Sequence, residues 1–76
     1  MKVEIYSKDN CGFCDMAIKT AEMNSIDPII KKLEVDFTRE EIMEQFPGVK
    51  TFPIVVVDGE NIGGYQEFTR YLREVR

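Results

Sequence analysis

The stretch that most limits how this chain can fold is Pro53-Ile54-Val55-Val56-Val57. It is a β-branched run with no polar alternation, so it reads as a strand that is apolar on both faces and needs cover on both. A sheet with helices on its two sides supplies that cover. The rest of the chain provides the parts. Residues 2–7 form a first strand, with Val3, Ile5 and Ser7 facing one way. Residues 12–24 are expected to form a helix whose inner stripe is Cys14, Ala17, Ile18 and Ala21. Asn24-Ser25 and Asp27-Pro28 punctuate its end. Leu33, Val35 and Phe37 alternate with Lys32, Glu34 and Asp36, which predicts a second strand there. Thr38-Arg39-Glu40-Glu41 has the spacing of a capping box and opens a short helix with Ile42 and Phe46 inward, stopped by Pro47-Gly48. Asp58-Gly59 is a hairpin signal, with Glu60-Asn61-Ile62-Gly63 returning antiparallel. From Tyr65 the set Phe68, Tyr71, Leu72 and Val75 marks a last amphipathic helix.

The expected order is therefore β-α-β-α-β-β-α, an α/β fold. It has a right-handed parallel crossover first, a hairpin last, and one four-stranded mixed sheet with helices on both faces. With 76 residues, 43% of them hydrophobic, the chain is read as one small domain spanning residues 1–76. A net charge of −4 argues against nucleic acid or an anionic membrane as a partner. No apolar run approaches the ~18 residues of a membrane-crossing helix. The alternating Met1-Lys2-Val3-Glu4-Ile5-Tyr6 lacks the apolar core of a secretory signal, so a cytoplasmic location is expected. A permanent structural disulfide is out of place there.

Both cysteines fall in Lys8-Asp9-Asn10-Cys11-Gly12-Phe13-Cys14, and the chain has no histidine. Cys11 is placed where the first strand ends and the first helix begins. There the bare N–H groups and the positive end of the helix dipole favour thiolate, and Lys8 adds positive potential. Cys14, one turn further in, is nearer the core and within disulfide reach. That asymmetry makes Cys11 the attacking thiol and Cys14 the resolving one. Two other readings stand beside it. One is a buried cysteine acting as a small hydrophobe. The other is a metal site, which needs about four ligands and so a second chain or an outside donor.

These pieces resemble the glutaredoxin family along almost the whole chain. Glu4-Ile5-Tyr6-Ser7-Lys8 with Cys11-Gly12-Phe13-Cys14 is similar to that family's first strand and active-site loop. Thr51-Phe52-Pro53 resembles its Thr-Val-Pro segment, and Asn61-Ile62-Gly63-Gly64-Tyr65 its Gly-Gly turn before the last helix. The resemblance implies a thioredoxin-like fold and glutathione-dependent reduction of disulfides and glutathionylated proteins. No tightly bound cofactor and no metal are implied; glutathione is the co-substrate. Partners would be disulfide or glutathionylated proteins, ribonucleotide reductase among the candidates, and the chain would be a monomer.

Site residues follow from the same resemblance. Cys11 and Cys14 are catalytic. Pro53 is expected to be cis, turning the N–H and C=O of Phe52 toward an extended peptide. Thr51, Phe52 and Pro53 then line the glutathione site. The backbone of Gly64 and Tyr65 holds the γ-glutamyl carboxylate, with Gln66 and Glu67 as neighbours. Relatives carry an aspartate pair where Gln66-Glu67 stands, one of which receives the ligand's amino group; Glu67 has the reach to serve. Lys8 is expected on a ligand carboxylate; Arg39 and Gln45 lie on a helix rich in surface charge, where a solvated side chain is the default reading and a contact with the glycine carboxylate the lesser one. Phe13 projects beside the pocket without the hydroxyl of the tyrosine that many relatives carry.

Gly12 departs from the Cys-Pro-Tyr-Cys of many dithiol relatives and leaves the loop freer. Cys-Gly-Phe also resembles the start of the monothiol branch, whose members form dimers bridged by a [2Fe–2S] cluster with glutathione. A cluster-binding dimer is therefore one alternative. A donor served by thioredoxin reductase is another, although the chain has no tryptophan and so lacks Trp-Cys-Gly-Pro-Cys.

Overall fold

In a computed structural model that describes residues 1–49 and 51–74, the Ile54–Val57 run becomes β3, and all four of its residues are buried. The other elements are β1 (Val3–Ser7), α1 (Gly12–Met23), β2 (Ile29–Lys32), α2 (Arg39–Gln45), β4 (Glu60–Gly63) and α3 (Tyr65–Glu74). The sheet order is β2-β1-β3-β4; β1 and β2 are parallel, and β3 runs antiparallel to both β1 and β4.

The side chains of β3 alternate between two cores. Val55 and Val57 join Val3 and Ile5 of β1, Ala17 and Ala21 of α1, and Phe68 and Leu72 of α3. Ile54 and Val56 join Tyr6, Phe37 and Ile42 on the opposite face, with Phe46 and Phe52 packed against them. Both faces of the strand are therefore dry, as its lack of alternation requires. Each such side chain fully removed from water contributes about 1.5–3 kcal/mol. Tyr6 meets Phe37 and Phe46 edge-on, at centroid distances of 5.2 and 5.5 Å. This apolar cluster roots the base of the loop that follows β1.

Local chemistry sets the element ends. Thr38 and Glu41 complete the capping box of α2: the Glu41 N–H donates to Thr38 Oγ1 at 3.2 Å, and the Thr38 N–H to Glu41 Oε1 at 2.8 Å. Asp58 and Gly59 turn the β3–β4 hairpin with φ of 50° and 87°, the positive values that a two-residue turn of this kind demands. Asn24 closes α1, its N–H donating to Thr20 and Ala21 carbonyls. Of the apolar set expected on α3, Phe68 and Leu72 are buried and Tyr71 packs at the margin, while Val75 lies outside the described residues. Among the described residues, no helix is long and apolar enough to cross a membrane.

The second strand is not where the alternation placed it. It is Ile29–Lys32, paired in parallel with Glu4–Ser7 as the sheet edge. Residues 33–37 form a tight turn instead. Leu33 and Phe37 bridge across it, the Glu34 N–H donates to the Phe37 carbonyl at 2.7 Å, and Glu34 has a φ of 68°. Asp36 stabilises the turn by accepting the Lys32 N–H at 2.9 Å, and Val35 at its tip is 74% exposed. An Asp side chain that can bond nearby backbone favours the turn over an extended ladder.

Candidate functional site

The C-terminal end of β1, the N-terminal turn of α1, the Thr51–Pro53 segment before β3 and the N-terminal turn of α3 surround one site. Cys11 is the N-cap of α1, extended at φ −122° and ψ 100°, and the Cys14 N–H donates to its sulfur at 3.2 Å. The two cysteines form a disulfide with Cα atoms 5.2 Å apart, the spacing of residues one turn apart on a helix. Their surroundings differ. Cys11 is half-buried, whereas Cys14 is 1% exposed among the core side chains of α1. The cap geometry and the helix dipole both stabilise negative charge on the Cys11 sulfur when the pair is reduced.

Across from Cys11, the Phe52 carbonyl oxygen lies 3.8 Å from its sulfur, and the Phe52–Pro53 peptide bond is cis. A groove of about 340 Å³ opens here, lined by Phe13, Thr51, Phe52, Pro53, Gly64, Tyr65, Gln66 and Glu67. The structure thus brings together eight of the residues that the sequence placed at the site. Phe13, 56% exposed, stacks on Tyr65 with centroids 6.0 Å apart, tying the first turn of α1 to the first turn of α3. Lys8 is exposed on the loop after β1, does not line this groove and forms no ion pair among the described residues. Its neighbour Asp9 binds Lys32 at 2.6 Å, which anchors the loop to the end of β2 and raises the Lys32 pKa. Arg39 lines an adjoining depression with Thr51 and Phe52; Gln45 lines neither.

Sequence reasoning missed what Glu67 does. Its Oε1 accepts the Gly64 N–H at 2.8 Å. That hydrogen bond, then Glu67's own N–H and more weakly Arg70, hold its carboxyl below the usual carboxylate range. Among the described residues, the N–H groups of Tyr65 and Gln66 make no hydrogen bond, so donors at the mouth of α3 still face the groove. The signal for Glu67 was present as spacing: residue 67 is three after residue 64, as in a capping box, but with glycine in place of Ser or Thr. The Phe13–Tyr65 stack had no local signal, since it joins opposite ends of the chain.

No group of three or more His, Cys, Asp or Glu side chains converges among the described residues as a metal donor set. What the arrangement can do is exchange thiols. A half-exposed sulfur at a helix N-terminus, a buried partner sulfur one turn on, and a proline loop opposite them on a four-stranded mixed sheet define the thioredoxin-like class of thiol–disulfide oxidoreductases. Within that class the glutaredoxin family model matches residues 3–62, and this chain belongs to the glutaredoxin family.

Solved structures agree on the fold. Glutaredoxin 1 from Francisella tularensis, complexed with cacodylate, is 25% identical with a TM-score of 0.81 over 97% of this chain and 94% of that one. Oxidised Escherichia coli glutaredoxin is 26% identical with a TM-score of 0.79, covering 97% and 95%. A buckwheat glutaredoxin–glutathione complex is 23% identical with a TM-score of 0.71, covering 96% and 69%. No curated protein sequence matches the chain significantly.

Proposed function

We propose that this chain reduces protein disulfides and glutathionylated thiols with glutathione as electron donor. The observation that carries the reading is the groove between Phe13, the Thr51–Pro53 segment and the mouth of α3, which runs beside the sulfur of Cys11 and presents unpaired backbone N–H groups. A peptide-shaped ligand with a free carboxylate fits such a groove: its extended backbone lies along Phe52 and its carboxylate on the N–H groups of Tyr65 and Gln66. The buckwheat glutaredoxin–glutathione complex, which shares the fold, supports the same ligand.

The chemistry is a chain of exchanges. The Cys11 thiolate attacks the glutathione sulfur of a glutathionylated protein. A new S–S bond forms between Cys11 and glutathione, the old one breaks, and the protein thiolate leaves to take a proton from water. A second glutathione thiolate then attacks the glutathione sulfur of that mixed disulfide, giving glutathione disulfide and restoring the Cys11 thiolate. For a protein disulfide, the Cys11 thiolate attacks one sulfur and the other leaves as a thiolate; Cys14 then loses its proton and displaces the substrate from Cys11, leaving the Cys11–Cys14 disulfide, which two glutathiones reduce to the dithiol as they become glutathione disulfide.

The test is reduction of the mixed disulfide between glutathione and β-mercaptoethanol, coupled to glutathione reductase. The same assay run with thioredoxin reductase separates the two reductants. Cys11→Ser is expected to be inactive. Cys14→Ser is expected to keep this activity and lose efficient reduction of protein disulfides. Cys14 is buried, so its hydroxyl replacement costs about 1–3 kcal/mol, and a thermal melt accompanies the assay. An active Cys11→Ser overturns the assignment, and activity supported only by thioredoxin reductase overturns the glutathione reading.

A further inference from the structure

Helices α1 and α3 leave the site side by side. Phe13 stacks on Tyr65 where they start, Ala17 and Ala21 share a core with Phe68 and Leu72, and Thr20 and Asn24 line one depression with Leu72 and Arg73 near their ends. The crease between the helices is open along this length. It begins at the groove that Phe13 and Phe52 line. It continues through a depression of about 280 Å³ lined by Tyr65, Gln66, Thr69, Arg70 and Arg73, and passes into one of about 240 Å³ that shares Thr69 and Arg73. Tyr65 and Gln66 belong to both the groove and the first depression, so the two are continuous.

Charge is sorted across this crease. Arg70 and Arg73 line it, are exposed, and form no ion pair among the described residues. Glu67 turns the other way, onto the Gly64 N–H, and Glu74 lines neither depression. A helix turns about 100° per residue, so on α1 the acidic Asp15 and Glu22 fall about 160–180° from Phe13, while Met16 and Met23 fall within about 80° of it. Both methionines are exposed, at 44% and 79%. The crease thus has an apolar bank on α1 and a cationic bank on α3, in a chain whose net charge is −4.

We propose that this crease docks the protein substrate: an acidic, partly apolar segment flanking the reactive cysteine lies between the methionines and the arginines while that cysteine's sulfur meets Cys11. The proposal rests on the reductase reading above and names its substrate class, proteins with acidic side chains near the disulfide. Charge sets the occupant. Unpaired guanidinium groups complement carboxylates, and the acidic remainder of the chain repels such a partner elsewhere, so the crease also orients it. Distance sets the spacing. Arg70 and Arg73 stand about 7.5 and 12 Å along α3 from Tyr65, at about 1.5 Å per residue. An extended segment covers that span in about two to four residues beyond the groove.

The experiment reduces two synthetic peptides, each with one internal disulfide, in the assay coupled to glutathione reductase. One carries glutamates and leucine roughly three to six residues from the cysteines on both flanks; the other has glutamine for each glutamate. At about 50 mM salt, wild type is expected to favour the acidic peptide roughly fivefold in kcat/KM, the ratio that two exposed ion pairs supply, and to lose the preference at about 0.5 M. Arg70→Gln/Arg73→Gln is expected to lose the preference while reducing the small glutathione–β-mercaptoethanol disulfide at the wild-type rate. Met16→Gln/Met23→Gln should slow both peptides alike, by roughly twofold to fivefold, and keep the preference; wild-type peptide rates in that variant overturn the apolar bank. Equal kcat/KM for the two peptides in wild type, with the small disulfide reduced normally, overturns the docking site alone. Arginine-dependent binding to phosphatidylserine vesicles in that case assigns the crease to a membrane surface. No glutathione-dependent reduction of any of the three substrates overturns the reductase reading, and the docking site with it.

Discussion

Gly63 is the position where one methyl group should do the most damage. Its φ is 115°, outside the region that residues with side chains adopt readily, and a Cβ there would come within 2.7 Å of Glu67 Cγ and 2.8 Å of Glu67 Cβ. The Cγ can rotate away, but the Cβ is fixed to the backbone of α3, so the helix itself must move. Gly63→Ala therefore combines backbone strain of about 1–3 kcal/mol with overpacking of about 1–3 kcal/mol. A domain of this size has roughly 4–11 kcal/mol to lose, and the melting temperature should drop by roughly 10–30 °C. Urea unfolding of a double-mutant cycle isolates the second component. Because the Cβ of residue 67 is part of the clash, the partner substitution is Glu67→Gly and not alanine. In that background Gly63→Ala should cost only the backbone part, giving a coupling of about 1–3 kcal/mol between the two positions. Additivity to within about 0.5 kcal/mol would refute the packing of Glu67 on the turn.

Further outcomes follow from the caps. Glu67 titrates below the usual carboxylate range in the folded chain, so its contribution to stability is fully present above the unfolded carboxylate pKa and is lost as pH falls through the lower folded value. The stability difference between wild type and Glu67→Gln should thus be constant from neutral pH down to the ordinary carboxylate range and vanish in stronger acid, as read by urea unfolding at a series of pH values. Thr38→Ala removes the oxygen that accepts the Glu41 N–H and should cost about 1 kcal/mol in the same measurement. A loss below about 0.3 kcal/mol would show that this box does not hold α2 in place.

How much of this could be read from the chain depended on whether the determining contacts were local. The β3 run, the Asp58-Gly59 turn and the Thr38–Glu41 box each carry their signal within a few residues, and each appears as read. The second strand failed because period-two alternation is not unique to strands. Leu33 and Phe37 turn inward from the two legs of a tight turn, and Glu34, Val35 and Asp36 between them form its tip, with Val35 left exposed. The actual edge strand, Ile29-Ile30-Lys31-Lys32, does not alternate, since an edge strand is half-exposed and is fixed by its pairing with β1. At the site, the cysteines and the proline segment were legible as motifs. The closure of Glu67 on Gly64 is local, but its spacing carries glycine where a capping box has Ser or Thr; the stacking of Phe13 on Tyr65 depends on how the tertiary fold sets α3 against α1, which no short window encodes.

The unequal burial of the two cysteines also fixes the direction of traffic. A disulfide is symmetric in its bonding, and an outside thiolate can in principle strike either sulfur. Here Cys14 is 1% exposed among the buried residues of α1, while Cys11 is half-buried with its sulfur 3.8 Å from the carbonyl of Phe52, which lines the groove. Under the proposed function, an incoming thiolate is expected to meet only the Cys11 end of the bond, with Cys14 as the leaving sulfur. Regiochemistry that a flexible dithiol in solution would leave to chance would then follow from packing. In that reading reagents from outside pass through a single port, and the second sulfur answers only to the first.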